Sequence, residues 1–375
     1  MRKVLINKLQ PGMILGKTIF SPNGHVLLST GSELNETFIR RLQALGYTAV
    51  LVQENYCEGL AFNDIVSDRS RIDSTIALRN IFDETRKIKK LDTKAIKSMV
   101  NTFVDEIIQN RNLLFELPDI RSYDNYLHGH CVNVCILAIR IGMLLEYNEI
   151  QLRDLGIGAV LHDIGMVFVN REVLERPGKL SASEFEQVKQ HSITGFNLLR
   201  EQKDVNLLSA HVSFQHHEKI DGSGYPRLLK RDEICEFARI VAVADLFDAL
   251  TSERKHRKSY AYSEAIKIIR EEAGQKIDLN MAELLLKNIA IHPTGSLVQL
   301  NSGEVGLVVA NFRQDPENPM VRVLTDRTGR ALDYESAWEV ELINKPDLHI
   351  VKPVEDDDRV AAVLREVYNR QEKAG

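Results

Sequence analysis

Residues 216–226 read HHEKIDGSGYP, and this stretch decides which fold the rest of the chain is expected to adopt. Two adjacent histidines precede a segment whose two glycines and one proline predict a tight, irregular loop. Imidazole is a frequent ligand of first-row transition metals. The stretch therefore predicts a metal site next to a loop.

Further candidate ligands lie on both sides of this stretch. Residues 159–166 read AVLHDIGM and form the end of an apolar helix that Gly165 can terminate. Adjacent helical residues project about 100° apart, so Asp163 can bridge two ions while His162 binds one of them. Seven such groups are too many for one four-coordinate zinc ion and suit two adjacent ions. The set combines five of the 11 histidines with two aspartates: His130, His162, Asp163, His191, His216, His217 and Asp245.

Composition restricts the class of protein. The 375 residues are 44% hydrophobic and 27% charged, an ordinary soluble composition with room for two or three domains. The net charge of -5 argues against a polymeric nucleic acid as partner, because such binding needs a basic surface. The four cysteines lack zinc-knuckle spacing and indicate buried, reduced thiols. With no apolar run of ~18 residues and no signal-peptide core, we expect a cytoplasmic protein without a membrane segment.

The spacing of apolar residues predicts a mainly α fold in four segments. Residues 1–65 indicate a small N-terminal α/β module of unknown role, and residues 73–290 are helical almost throughout. Residues 291–345 alternate apolar positions with turn signals, which predicts a small C-terminal β appendage. Residues 346–375 combine an acidic linker with a C-terminal helix.

Several elements can be placed within these segments. In the N-terminal module, two short strands flank the hairpin signal SPNG at residues 21–24, and a helix follows from about Asn35 to Leu45. Ser181 and Glu184 form a capping box at the start of the helix that carries His191. The central segment therefore holds all seven candidate ligands on or beside helices.

The motifs in order are HDIG at residues 162–165, HHEKIDGSGYP at 216–226 and VADLFDALTSER at 243–254. Over residues 124–274 the chain resembles the HD-GYP branch of the HD-domain phosphohydrolases. That resemblance implies an all-helical metal-dependent phosphohydrolase domain with a two- or three-metal centre, usually iron or manganese. It implies hydrolysis of the bacterial messenger cyclic di-GMP to pGpG or GMP. All seven ligand positions of the family are occupied, with His162 and Asp163 as the implied catalytic pair.

The chain departs from the family pattern at two positions. Met166 stands where the family usually has a lysine that contacts substrate phosphate. Losing one charge contact typically costs about 10² to 10³ in rate, whereas losing a metal ligand would remove the nucleophile, so Met166 predicts a weakened or altered enzyme. Tyr126 stands where three-metal members carry a glutamate, which favours two metals.

Other side chains are candidates for binding substrate. Arg forks suit phosphate, and the resemblance implies basic residues after Asp245, so Arg254, Arg257 and Lys258 are predicted phosphate contacts. Tyr225 either stacks on a guanine or braces its loop, and Lys179 is a candidate replacement for the charge missing at Met166. Asp248 lies one helical turn after Asp245 and is predicted to hold a ligand histidine from outside the metal's own ligand set.

These residues lead to a hypothesis for the reaction. A hydroxide bridging two ions, formed from water whose pKa falls from 15.7 toward about 7, would attack phosphorus in line. One ion would take His130, His162, Asp163 and Asp245, and the second His191, His216 and His217.

Two alternatives stay open. One is a catalytically weak or inactive cyclic di-GMP receptor or scaffold, whose GYP loop serves a partner such as a diguanylate cyclase domain. The other is an HD phosphohydrolase of another cyclic dinucleotide. Whether the protein forms a homodimer also stays open.

Overall fold

The N-terminal residues form a small module of strands around one helix. This computed structural model describes residues 1–21, 24–47, 49–60, 64–115, 126–175, 178–252, 260, 262–333, 335–354, 360, 363–364 and 367–368. Strand β1 (Arg2–Leu5) pairs antiparallel with β4 (Ala49–Val52), and β2 (Ile19–Phe20) pairs antiparallel with β3 (Val26–Leu28). Helix α1 (Glu36–Ala44) packs Ile39 and Leu42 into their common core. The predicted hairpin and helix are confirmed, whereas β1 lacked a sequence signal strong enough to predict it.

Helices form most of residues 65–286, as the apolar spacing predicts. They are α2 (Asp68–Ile88), α3 (Thr93–Gln109), α4 (Tyr126–Leu144), α5 (Glu149–Val160), α6 (Arg171–Glu175), α7 (Ala182–Arg200), α8 (Leu207–Gln215), α9 (Glu236–Thr251), α10 (Tyr262–Glu272) and α11 (Leu279–Leu286). A 3-10 helix over Ile164–Phe168 follows α5. The predicted capping box is present, since the Ser181 hydroxyl accepts from the Glu184 amide and the Glu184 carboxylate accepts from the Ser181 amide.

Helix α4 is the apolar centre of this helical assembly. Among the described residues it is the one helix long and apolar enough to cross a membrane by length and composition, over Leu127–Leu144, so the expectation that no such run exists is wrong. However, 78% of that window is buried, and α4 packs against α2, α3, α5, α9 and α11. Burial against neighbouring helices is what the core helix of a water-soluble domain shows.

The C-terminal segment forms a five-stranded antiparallel sheet. Its strands are β5 (Leu297–Leu300), β6 (Val305–Phe312), β7 (Asp315–Val323), β8 (Trp338–Glu341) and β9 (Ile350–Pro353), in the order β8-β7-β6-β5-β9. Strand β7 contains Pro316 and Pro319, which cannot donate a backbone hydrogen bond to a neighbouring strand. Both prolines precede the stretch of β7 that pairs with β8, which begins at Met320.

The chain divides into two compact units. We call Ile65–Arg111 with Tyr123–Leu286 the helical unit, and Met1–Asp64, Asn112–Ser122 and Lys287–Gly375 the terminal unit. The mainly α fold with small α/β and β additions is confirmed. The finer division into four segments stays a prediction, and the acidic run at residues 355–358 lies outside the described residues.

Candidate metal centre

Five helical elements of the helical unit deliver the seven candidate ligands to one place. His130 lies on α4, His191 on α7 and Asp245 on α9, whereas His162 and Asp163 follow the end of α5. His216 caps the end of α8, and His217 is the next residue. These side chains form two groups of potential metal donors, and the donor atoms within each group all lie within 4.8 Å of one another: Asp163, His191, His216 and His217 in one, and His130, His162 and Asp245 in the other.

Asp163 faces both groups. Its Oδ1 lies 3.3 Å from His191 Nε2 and 3.6 Å from His216 Nε2, and its Oδ2 lies 3.5 Å from His162 Nε2. A carboxylate with one oxygen toward each group is the arrangement expected of a bridging ligand. The sequence hypothesis places Asp163 with His130, His162 and Asp245, whereas here its donor atoms group with those of His191, His216 and His217. The ligand assignment stays a proposal.

The second group is centred on His130. Its Nε2 lies 3.0 Å from Asp245 Oδ1, and its ring packs edge-on against that of His162, with 5.3 Å between centroids. On the other side of the ring, Nδ1 lies 2.6 Å from Asp248 Oδ2, and Asp248 is fully buried. The structure thus places Asp248 behind His130, on the side away from Asp245.

The histidines share one orientation. Nδ1 of His162 lies 2.8 Å from Ala159 O, Nδ1 of His191 lies 2.6 Å from Val188 O, and Nδ1 of His216 lies 3.1 Å from Val212 O. A carbonyl oxygen can only accept, so each of these Nδ1 atoms must carry the proton. The lone pair of the neutral ring then belongs to Nε2, the atom that points into the cluster, which is the usual arrangement of metal-binding histidine.

One buried atom indicates what the cluster needs. Nε2 of His162 is inaccessible to solvent and has no hydrogen-bond partner among the described residues. A buried acceptor without a partner costs about 1 to 3 kcal/mol, a cost that a metal ion at this position would remove. Neutral imidazoles with carboxylates are a donor set that first-row divalent metals accept, so the residues present fit divalent metal binding.

In the protein without metal, the electrostatics of Asp163, Asp245 and His217 agree with this fit. Burial alone would raise the pKa of Asp163, but His162, His191 and His216 hold it well below its usual range. Burial likewise opposes ionisation of Asp245, and His130 with its neighbours lowers the pKa of that carboxyl. For His217, burial and the adjacent His216 lower the pKa well below its usual range. The carboxyls are thus held ionised and His217 neutral, the forms that bind cations.

The loop after the double histidine is braced by Glu218. Its carboxylate accepts hydrogen bonds from the amides of Arg227 at 2.6 Å and Leu229 at 3.0 Å. The chain passes so close to itself that a Cβ on Gly224 would stand 2.4 Å from Lys219 N. Glycine is therefore required at position 224, which agrees with the tight loop predicted from the glycines. Residues 218–230 are called the GYP loop.

Tyr225 sits between the cluster and an aromatic and basic surface. Its ring centroid lies 4.7 Å from that of His217 and 6.1 Å from that of Phe185. Lys189 Nζ lies 4.8 Å from the Phe185 ring centroid and 5.5 Å from that of Tyr225, and it pairs with Glu186 at 2.7 Å. Tyr225 thus lies between the candidate ligand His217 on one side and Phe185 with Lys189 on the other.

The remaining predicted residues are placed as follows. Met166 lies half-buried in the 3-10 helix and donates its amide to Asp163 O at 2.9 Å. Lys179 is exposed, in the segment before α7. The side chain of Tyr126 and all of Arg254, Arg257 and Lys258 lie outside the described residues.

Sequence reasoning missed several residues at this site. Cys131 has its sulfur within 4.8 Å of the donor atoms of His162 and Asp163, and Asn133 donates to Asp248 Oδ1 at 2.7 Å. Lys189 and Phe185 border Tyr225. The one available signal was the helical spacing of Asn133, which follows His130 by three residues. Lys189 precedes His191 by two, a spacing that does not place two side chains on one face of a helix. Helical spacing alone cannot separate Asn133 from other polar residues of the same helix.

Two domain families match the chain in comparisons with known proteins. Residues 105–281 match the model of the HD domain, and residues 297–361 match the KOW domain associated with the HD domain. A cyclic di-GMP phosphodiesterase of Pseudomonas aeruginosa, PA4108, is 34% identical over 66% of this chain and 59% of its own length. A cyclic di-GMP phosphodiesterase of Thermotoga maritima is 36% identical over 49% of each chain.

A third relative carries a different substrate in its name. The 3'3'-cGAMP-specific phosphodiesterase 3 of Vibrio cholerae is 34% identical over 45% of this chain and 36% of its own length. The chain therefore spans less than two thirds of the length of these curated relatives. The domain match covers every candidate ligand and the GYP loop. Residues 105–281 match the HD domain family, and the HD pair, double histidine and GYP motif occur there in the order typical of its HD-GYP branch.

Proposed function

We propose that the protein is a metal-dependent phosphodiesterase that hydrolyses cyclic di-GMP to pGpG, GMP or both. The observation that carries the proposal is the pair of donor groups that share Asp163, built entirely within the HD domain. Two relatives named as cyclic di-GMP phosphodiesterases support the choice of substrate.

In this proposal the seven side chains hold two divalent ions, iron or manganese. One ion would be held by His130, His162 and Asp245, and the other by His191, His216 and His217. Asp163 would bind both ions. Mixed imidazole and carboxylate ligation suits these metals. When bound, such ions polarise a phosphodiester and lower the pKa of water toward neutrality. Backbone carbonyls and Asp248 keep the imidazoles oriented, so that no side chain has to reorganise when metal binds.

The proposal also assigns the substrate contacts. Lys189 stands beside Tyr225 and supplies a positive charge near the cluster, while Met166 leaves the HDIG motif without one. Tyr225 and Phe185 offer ring faces suited to guanine. Arg254, Arg257, Lys258 and Lys179 stay proposed phosphate contacts, on the strength of the family resemblance.

The test is direct hydrolysis. The full chain would be loaded anaerobically with Fe(II) or Mn(II), incubated with cyclic di-GMP and analysed by product chromatography. We expect pGpG or GMP, and no product from Asp163→Ala, whose metal content should fall because the shared ligand is gone. The exposed variant Asp232→Asn is the matched control and should keep both metal and activity. Metal-loaded protein that binds cyclic di-GMP without hydrolysing it would sink the enzyme proposal in favour of a receptor or scaffold.

A second candidate substrate is 3'3'-cGAMP. A Vibrio cholerae relative is named as specific for it. Running the same assay with both cyclic dinucleotides separates the two, since we expect a higher kcat/KM for cyclic di-GMP. A reversed preference would move this chain to the second substrate class.

Partners and location are part of the same proposal. We propose cyclic di-GMP as the ligand and the GYP loop as a contact for a diguanylate cyclase domain. We propose the cytoplasm as the location, and neither a polymeric nucleic acid nor a membrane as a partner. The homodimer stays open. Size measurement by light scattering, with and without metal, would settle the oligomeric state.

A further inference from the structure

A line of hydrogen bonds runs from Arg71, which is partly buried, to the buried His130. Arg71, on α2, lies with Nε 3.4 Å from Val66 O and Nη1 3.1 Å from Asn133 Oδ1. Asn133 Nδ2 lies 2.7 Å from Asp248 Oδ1, and Asp248 Oδ2 lies 2.6 Å from His130 Nδ1. We call this line, from Arg71 through Asn133 and Asp248 to His130, the relay.

The direction of each hydrogen bond in the relay follows from chemistry. Guanidinium has only donors, so the Asn133 atom that faces Arg71 must be the amide oxygen. The amide nitrogen then faces Asp248, where it can only donate. Asp248 accepts this bond, a bond from Ser252 Oγ at 3.2 Å and one from His130 Nδ1. The side-chain orientation of Asn133 therefore follows from both of its neighbours, a donor on one side and an acceptor on the other.

The end of the relay determines which ring atom of His130 meets a metal. With Nδ1 donating to Asp248, the atom left on the side of Asp245 is Nε2, at 3.0 Å from Asp245 Oδ1. Asn133, Asp248 and His130 are 2%, 0% and 3% exposed, so water does not offer a substitute partner. Buried polar groups in such networks depend strongly on each other.

We propose that Arg71 is a positioning residue for the metal centre, acting through Asn133 and Asp248 on His130. The inference rests on the proposed metal site. Without Arg71, the Asn133 oxygen loses the donor that fixes its side chain, and the hydrogen bond from Asn133 to Asp248 becomes less well oriented. Asp248 then holds His130 less firmly, and the metal loses an oriented ligand. Mutating residues that orient a metal ligand through hydrogen bonds typically weakens metal binding about 10- to 100-fold.

The test measures metal binding, not turnover. Mn(II) would be titrated into the metal-depleted full chain, and the signal of free Mn(II) followed by electron paramagnetic resonance. We expect Arg71→Met to weaken Mn(II) binding about 10- to 100-fold, with Arg71→Lys in between because lysine keeps a donor but loses the fork. Arg69→Met is the matched control on the same helix, since Arg69 is exposed and pairs only with Asp73 among the contacts seen here; its affinity should equal that of the wild type.

A double-mutant cycle separates positioning from general loosening of the helices. If Arg71 acts through Asn133, then Arg71→Met added to Asn133→Ala should cost no further affinity. Equal losses in both backgrounds, or wild-type affinity in Arg71→Met, would overturn the relay while leaving the metal site intact. A wild-type chain that does not bind Mn(II) would instead overturn the metal site and the relay with it. Circular dichroism of each variant checks that the helices are retained.

Discussion

At the scale of single residues, the main question is where the positive charge for substrate lies. Met166 follows Asp163 by three residues and brings no charge, although the metal donors around it are complete. Lys189 lies next to Tyr225. The proposed substrate contacts therefore differ from the usual pattern of the family at position 166, while the proposed metal ligands do not.

Met166→Lys tests whether the charge missing at position 166 affects activity. Because Met166 is not a ligand in the proposed site, we expect the variant to keep its metals and to show equal or higher kcat/KM for cyclic di-GMP, by up to about 10². Met166→Leu, which adds no charge, should match the wild type. A drop of more than about tenfold with metal content unchanged would show that Met166 itself shapes the site.

Lys189→Met tests whether Lys189 supplies the positive charge that binds substrate. Hydrogen bonds to charged groups contribute roughly 1.5 to 3 kcal/mol, so we expect KM to rise about 10- to 100-fold with a smaller change in kcat and unchanged metal content. Glu186→Gln is the matched control, because it removes the ion-pair partner of Lys189 and leaves the ammonium. An unchanged KM for Lys189→Met would place the phosphate grip elsewhere.

His130 predicts a pH dependence for the metal-depleted protein. Burial alone would lower the pKa of this imidazole, but Asp245 and Asp248 raise it to about 9. Between about pH 6.5 and 9 the folded state therefore holds a proton that the unfolded state has lost. The stabilisation is complete below pH 6.5 and disappears as the pH rises to 9, so the free energy of unfolding should fall across this window. The pKa of His191 is also raised, which acts in the same direction.

Urea unfolding at pH 6.5, 7.5 and 8.5 measures this effect. His130→Asn should flatten the pH dependence in proportion to its share of the bound protons. Metal should flatten it as well, because a bound imidazole carries no second proton. Stability that increases with pH over this range would contradict the assignment of His130 as a protonated ring.

At the scale of elements, the cluster depends on a close crossing of the 3-10 helix, α7 and α8. A Cβ on Gly165 would stand 2.0 Å from His191 O, and a Cβ on Gly195 would stand 2.2 Å from Ser213 Oγ. The Ser213 hydroxyl in turn donates to His162 O at 2.9 Å. Small residues at this crossing let the backbone of the HD pair approach the helix of His191.

The two glycines should respond differently to substitution. Gly165→Ala meets backbone, which cannot move aside, so we expect a loss of stability of about 3 kcal/mol or more together with weaker metal binding. Gly195→Ala meets a hydroxyl that can rotate, so its cost should be smaller. Ser213→Ala added to Gly195→Ala should recover part of that cost. Thermal unfolding with and without metal measures the relative stability of these variants. A Gly195→Ala variant less stable than the Gly165→Ala variant would contradict this geometry.

Secondary structure was largely predictable at this scale, and its limits have physical causes. Ser181 and Glu184 mark a helix start because their bonds are local in sequence. Strands β1, β8 and β9 could not be predicted, since the partners that pair with them are distant in the chain. The sequence predicted that the helix carrying His162 and Asp163 ends near Gly165, but α5 ends at Val160, before both residues. The closeness of Gly165 to His191 was not predicted either.

At the scale of the whole molecule, all seven proposed ligands belong to the helical unit. Metal that binds only the folded form stabilises that form by mass action. We expect Mn(II) at 100 times its dissociation constant to add about 2.7 kcal/mol per site to the free energy of unfolding of the helical unit. The terminal unit should keep its own stability.

Hydrogen exchange followed by mass spectrometry measures the two units separately. Protection of peptides from α4, α7 and α9 should increase on metal addition and return to the starting value with a chelator. Peptides from β5 to β7 of the terminal unit serve as the internal control. An equal increase in both units would contradict a metal site confined to the helical unit.

The sequence by itself determined the donor types, the helices that carry them and the family. Those features depend on residue chemistry and on spacing along a few turns. Only the tertiary structure decided that Asp163 turns one oxygen to each donor group, that Lys189 borders Tyr225, and that Arg71 reaches His130 through Asn133 and Asp248. Asn133 and Asp248 are 115 positions apart, and such pairs meet only when whole helices pack. Packing of distant elements is a collective result of burial, and no local pattern in the chain encodes it.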